Sequence, residues 1–127
     1  MSDSVTNRDV GSTSLTTVLL TPVFIVIAFA AFQAAMWSHA RTEARFIARD
    51  TAAQVARGGV PTDAAEAAAE QVLRADTDIG APDIRIETDP GGTFVTVTVT
   101  GRAPGIIRGT STDLTVVEAV PIEAFRP

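Results

Sequence analysis

The chain has 127 residues, a formal net charge of −5 and ten basic residues, every one of them arginine. That length bounds it to one small domain plus an anchor, and the acidic balance argues against nucleic acid as a partner, because phosphate binding needs a basic patch. There is no cysteine and only one histidine, so disulfide staples and thiolate metal sites are excluded and a histidine-based zinc site is argued against.

Met1 to Val10 is polar, carries Asp3, Arg8 and Asp9, and lacks apolar periodicity; it reads as a disordered leader, residues 1–11. An uncharged apolar run follows from Leu15 to Trp37. At about 1.5 Å per helical residue this run is long enough to cross roughly 30 Å of hydrocarbon. A secretory signal would have a shorter apolar core and a small-residue cleavage site, whereas here Ser38-His39-Ala40-Arg41 continues a helix, so a retained anchor is preferred. Ser12 and Ser14 can cap the helix start, and Thr16, Thr17 and Thr21 can bond back to the preceding turn. Pro22 removes one backbone hydrogen bond and is expected to kink the helix.

Ala30/Ala34 and Ala31/Ala35 form two small-xxx-small pairs, a pattern that lets helix backbones approach within a membrane. Gln33, the one amide of the run, can bond to a neighbouring helix. Trp37 and Arg41 stand where an interfacial belt belongs, and membrane lipid is the partner they imply. Charge alone would put the C-terminal part in the cytoplasm, because Arg8 precedes the run and Arg41, Arg45 and Arg49 follow it.

From Ser38 to Arg57 the pattern becomes charged and helical. Ala44, Ile47 or Ala48, Thr51 and Val55 make a narrow apolar stripe, with Arg41, Arg45 and Arg49 on another face. Gly58-Gly59-Val60-Pro61 ends the helix, so residues 12–57 read as one transmembrane helix with a soluble extension, about 69 Å long. Residues 58–127 form a small module. Asp63 and Glu66 have capping-box character for a second helix over 63–75, with Ala65, Ala68 or Ala69, Val72 and Leu73 on its apolar face. Asp76 to Pro82 is a loop; Asp76, Asp78 and Asp83 lack the spacing of a calcium site.

Ile84 and Ile86 alternate with Arg85 and Glu87. Asp89-Pro90-Gly91-Gly92 is a hairpin turn, and Phe94 to Thr100 alternates Val with Thr as the clearest strand. Gly101 to Ser111 reads as a loop holding Ile106 and Ile107. A third strand covers 113–120, with Glu118 in the phase of Leu114, Val116 and Val120; either a bulge intervenes or that end is exposed. The fold class is therefore α+β: a long N-terminal transmembrane helix continuing into a second helix and a three-stranded antiparallel sheet. Val95, Val97, Val99, Ile84, Ile86, Leu114 and Val116 are its expected core.

Arg8-Asp9-Val10-Gly11-Ser12-Thr13-Ser14-Leu15, leading into Val18-Leu19-Leu20-Thr21-Pro22-Val23-Phe24, resembles the N-terminus of TadE-like proteins. The stretch through Gln33, Ala35, His39-Ala40-Arg41 and Ala44 to Ala56 is similar to the helix that follows in that family. The resemblance implies a minor pilin or pseudopilin of a tight-adherence, Flp-type pilus system. It would sit in the bacterial cytoplasmic membrane with its C-terminal module outside, and pack against other pilin-like or assembly subunits through its membrane helix. It also implies a prepilin peptidase as a partner, with Gly11 and Ser12 as the processing site; read as residues alone, Gly11-Ser12 is a linker and helix cap. One departure stands out: the family usually carries a Glu a few residues after the glycine, where Thr16 or Thr17 stands here.

No catalytic constellation occurs: there is no Gly-x-Ser-x-Gly, Cys nucleophile, His pair or phosphate loop. The expected function is a non-enzymatic, cofactor-free component in pilus assembly and adhesion or a related secretion apparatus. The alternative is a single-pass membrane-anchored extracytoplasmic binding module with no filament role, using a sheet edge or the Ile106/Ile107 loop.

Overall fold

The structure, a computed structural model, describes residues 7–123. Helix α1 spans Asn7–Ala56. The expected start at Ser12 is corrected to Asn7, so Gly11 and Ser12 lie inside the helix; the rest of the expected disordered leader, residues 1–6, falls outside the described residues. One glycine costs a helix only about 1 kcal/mol, too little to stop propagation from the long helical segment behind it. The chain forms two compact units, one up to Ala34 and one from Ala35 onward.

From Leu15 to the end of the first unit α1 is apolar all round. Leu15, Val18, Leu19, Val23, Phe24, Ile25, Val26 and Ile27 are all exposed, and at 100° per residue they occupy every face of the helix. A helix on a water-soluble surface would bury one stripe and leave the rest polar; this one suits an apolar solvent. Its hydroxyls are turned inward: Thr17 Oγ1 donates to Thr13 O at 2.9 Å and Thr21 Oγ1 to Thr17 O at 2.7 Å. The helix continues through Pro22.

In the second unit α1 presents a row of alanines. Ala40, Ala44, Ala48, Ala52 and Ala56 are each at most 8% exposed. They lie on an i, i+4 ridge, which on an α-helix runs obliquely to the axis, and they share one buried cluster with the sheet's inward-facing residues. Thr51 is buried beside them, while Ile47 and Val55 are half-buried flanks. The helix stops as its glycines dictate: Gly58 takes φ +71° and its N–H donates to Val55 O at 2.9 Å.

Helix α2 spans Thr62–Asp76 and buries Ala65, Ala69 and Leu73. No side chain caps its start, so the expected capping box is corrected. Glu66 instead reaches the sheet, where its Oε1 accepts the Ile86 N–H at 2.8 Å. Val72, expected on the packed face, is 40% exposed on its flank.

Strands β1 (Gly80–Thr88), β2 (Phe94–Ala103) and β3 (Thr112–Pro121) form an antiparallel meander in the order β1-β2-β3. Ile84 pairs with Val99 and Ile86 with Val97; Val99 also pairs with Val116, and Gly101 with Leu114. All seven expected core residues are buried, in one cluster with the alanine row, Leu73, Ile79 and Ala103. This arrangement bears out the α+β class: period-2 alternation buries one sheet face against the helices, and Thr96, Thr98 and Val117 fall on the other.

Two local expectations are corrected. Strand β2 runs on to Ala103 instead of ending before Gly101. A Cβ on Gly101 would lie 2.5 Å from Ile79 Cγ2, so glycine there admits Ile79, assigned to a loop by sequence, into the core. On β3, the Val97–Glu118 register is regular and Glu118 does point toward the helix side, where Arg45 of α1 meets its carboxylate at 3.1 Å. No bulge is needed because an ion pair accommodates the carboxylate.

Candidate functional site

The hydrophobic run is the most distinctive feature of the described chain, with a mean hydropathy of 2.4 over its most apolar 18-residue window and none of that window buried. Along it, Ala30, Ala31, Ala34 and Ala35 are exposed and Gln33 is half-buried. The two small-xxx-small pairs lie a turn apart on adjacent rows, as the 3.6-residue repeat requires. Gly11 is exposed near the start of α1, and a Cβ there would meet nothing within 4 Å.

Trp37 and Arg41, one helical turn apart, are brought together. The Arg41 guanidinium carbon sits 5.2 Å from the Trp37 ring centroid, a cation–π contact. Trp37 also leans on the module's core cluster. Its Nε1 and the Arg41 Nε are enclosed without a hydrogen-bond partner. Trp37 thus has an apolar body against the core and a cation over its face, while His39, next along the helix, pairs with Glu43 at 3.4 Å.

Two further surfaces border α1. A groove of about 410 Å³ is lined by His39, Thr42, Glu43, Phe46, Val72 and Asp76, with Phe46 74% exposed at its edge. A second, of about 340 Å³, lies among Ala53, Ala56, Arg57, Val120 and Pro121. Neither gathers a nucleophile with a base, and among the described residues no group of three or more His, Cys, Asp or Glu side chains is placed to hold a metal.

Asp89 organises the β1–β2 turn. Its Oδ1 accepts the N–H groups of Phe94 at 2.7 Å and Thr93 at 2.6 Å. These bonds favour the ionised form, the Phe94 one most, and hold the carboxyl below its ordinary value. The turn lies at the end of the sheet reached by Pro121 and Ile122, since Phe94 pairs with Pro121 and Ile122 N–H donates to Thr93 O at 2.8 Å.

Of the residues singled out from sequence, the structure joins Trp37 to Arg41. The processing residues and the alanine pairs lie on the same helix, with Ala35 the first residue of the second unit. Sequence reasoning missed the Arg45–Glu118 and Glu66–Ile86 links; the only signal for the first was a carboxylate in an otherwise apolar strand phase. No curated protein and no solved structure matches the chain. The family described as TadE-like protein matches residues 11–53, a stretch that begins at Gly11 and ends among the buried alanines. Its link is to tight-adherence pili, and the apolar helix fits membrane anchoring. This match to the TadE-like family over residues 11–53 agrees with the resemblance that the N-terminal sequence carries.

Proposed function

We propose that the chain is a non-enzymatic, single-pass pilin-like subunit of a tight-adherence pilus or related secretion apparatus, acting in assembly and adhesion. The observation that carries this reading is the all-round apolar helix lying within the TadE-like match. Such a helix is stable in lipid, and its alanine pairs suit lateral packing against helices of other subunits. The module then stands on the extracytoplasmic side of the bacterial inner membrane, with Trp37 and Arg41 at the boundary. Gly11–Ser12 is the bond a prepilin peptidase would cut; the first turns of a helix fray readily and give access to it.

N-terminal sequencing of the membrane-extracted protein tests the processing step: Ser12 as first residue supports it, and an intact leader removes it. A reporter fused after Pro127 tests orientation, and cytoplasmic activity there overturns the pilin-like reading. Crosslinking through the membrane helix should recover other pilin-like subunits. Recovery of none would leave the anchored binding module, the reading that Thr16 and Thr17 favour by standing in place of a Glu.

A further inference from the structure

The β2–β3 loop, residues 104–111, carries Ile106 and Ile107 at 42% and 56% exposure, followed directly by Arg108. The loop is built, not slack. Thr110 N–H and Oγ1 both bond Ile107 O, at 3.1 and 2.7 Å, Gly109 takes φ +90°, and Gly105 packs so tightly on Thr110 that a Cβ there would collide with it. Two adjacent branched apolar side chains held outward on an ordered turn invite a partner.

The topology says which end of the module the loop occupies. Ala53, Ala56 and Arg57 of α1 share a groove with Val120 and Pro121 at the end of β3, and Arg45 meets Glu118 earlier on that strand. Helix and strand therefore advance in the same direction. Going back from the Arg45–Glu118 pair, Thr112 lies six residues along β3, about 20 Å. Trp37 lies eight residues back along α1, about 12 Å. The loop preceding Thr112 thus reaches the level of Trp37 or passes it. Helix α2 agrees: Val72, Asp76 and Thr77 line the groove beside His39 and Glu43, so its C-terminal end shares the Trp37 end of the unit.

From this placement we infer that Ile106, Ile107 and Arg108 form a second membrane contact, a loop that dips its isoleucines into the headgroup region beside the point where α1 leaves the bilayer. The inference rests on the reading of α1 as a membrane anchor. The occupant is a lipid surface because the loop continues the boundary marked by Trp37 and Arg41. Its order of two apolar residues and then a cation also matches the acyl boundary and the phosphate level above it. Among the described residues Arg108 has no ion-pair partner, while Arg102 and Asp113 at the strand ends face each other at 3.8 Å. Asp76 and Asp78 share this end of the unit on the α2–β1 side, so the contact is confined to the loop tip.

The absence of cysteine makes the test direct. A nitroxide is attached to Ile107→Cys in the full chain, one chain per nanodisc of phosphatidylcholine and phosphatidylglycerol, and collisions with oxygen and with a water-soluble nickel chelate are compared. Gly91→Cys in the β1–β2 turn marks the opposite end, and Phe29→Cys marks the apolar run. The inference expects an oxygen-to-nickel collision ratio at position 107 several-fold above that at 91, falling toward it when Arg108→Glu is added. A label at 107 as open to nickel as the label at 91 overturns it, and so does a label shielded from both reagents, which would mean a protein contact. An aqueous label at Phe29 would instead overturn the anchor reading, and this inference with it.

Discussion

Arg45 Nε stands 3.1 Å from Glu118 Oε1, joining the C-terminal third of α1 to the inward-facing phase of β3. The side chains are 56% and 24% exposed, so water screens the pair and its coupling should be about 0.5–1 kcal/mol. A double-mutant cycle with Arg45→Ala and Glu118→Ala, read by chemical unfolding in detergent, measures it. Glu118→Val extends the apolar phase of Leu114 and Val116 without leaving a charge behind, and should be neutral or stabilising. A loss above about 3 kcal/mol for Glu118→Val would mean that the pair is a buried keystone, contrary to its exposure.

Glu66 and Ile86 are a different kind of link. Strand β1 is an edge strand, and a carboxylate from α2 takes up one of its N–H groups. Glu66→Ala leaves that N–H to solvent or to nothing and should cost about 1 kcal/mol. Glu66→Gln keeps an acceptor oxygen and should lose less. Amide exchange at Ile86 distinguishes a local effect from a global one: it should quicken in Glu66→Ala well before the amides of β2 do.

The alanine row and Gly101 predict intolerance to added volume. Ala48 is fully buried at the helix–sheet contact, so Ala48→Leu should cost about 1–3 kcal/mol by forcing the helix off the sheet. Gly101→Ala brings a methyl group to 2.5 Å from Ile79 Cγ2 and 3.1 Å from Gly80 O. The backbone oxygen cannot rotate away, so a similar cost is expected. Gly59→Ala is the control, because nothing lies within 4 Å of its Cβ position; its unfolding midpoint should stay near that of the parent.

These sites also mark where sequence reading stopped. The anchor was legible because an uncharged run of that length has few other uses. The strands were legible because Val and Thr alternate with the period of a pleat, and the end of α1 because Gly58 supplies a left-handed stop. The alanine row was only half legible: in an alanine-rich chain Ala44 and Ala48 stand out little from Ala53 or Ala67, and burial is decided by the sheet they meet. Ile79 needed the gap at Gly101, and Glu66 needed a partner twenty residues on. Both are tertiary facts with no local signal. At the boundary, Trp37 and Arg41 were legible as belt residues by type and position, but their contact and the placing of Ile106 and Ile107 at the same end required the structure.

Asp89 supplies the pH prediction. In the folded hairpin its carboxylate accepts backbone N–H groups from Phe94 and Thr93, which lowers its pKa. In the unfolded chain those bonds are gone and the value returns to that of an ordinary aspartate, about 3.9. Between the two values the unfolded state binds more protons, so acid favours unfolding. The stabilisation from Asp89 is therefore complete above the unfolded pKa and is lost as pH falls through the lowered folded one. Asp89→Asn keeps an oxygen that can accept both N–H groups but removes the charge that strengthens those bonds. It should be less stable than the parent at neutral pH, with the gap closing in acid below pH 4 or so. Unfolding midpoints of the two proteins from pH 7 down to pH 2 check this. A gap that stayed constant across that range would assign the turn's stability to its Pro90-Gly91-Gly92 backbone and not to the ionised Asp89.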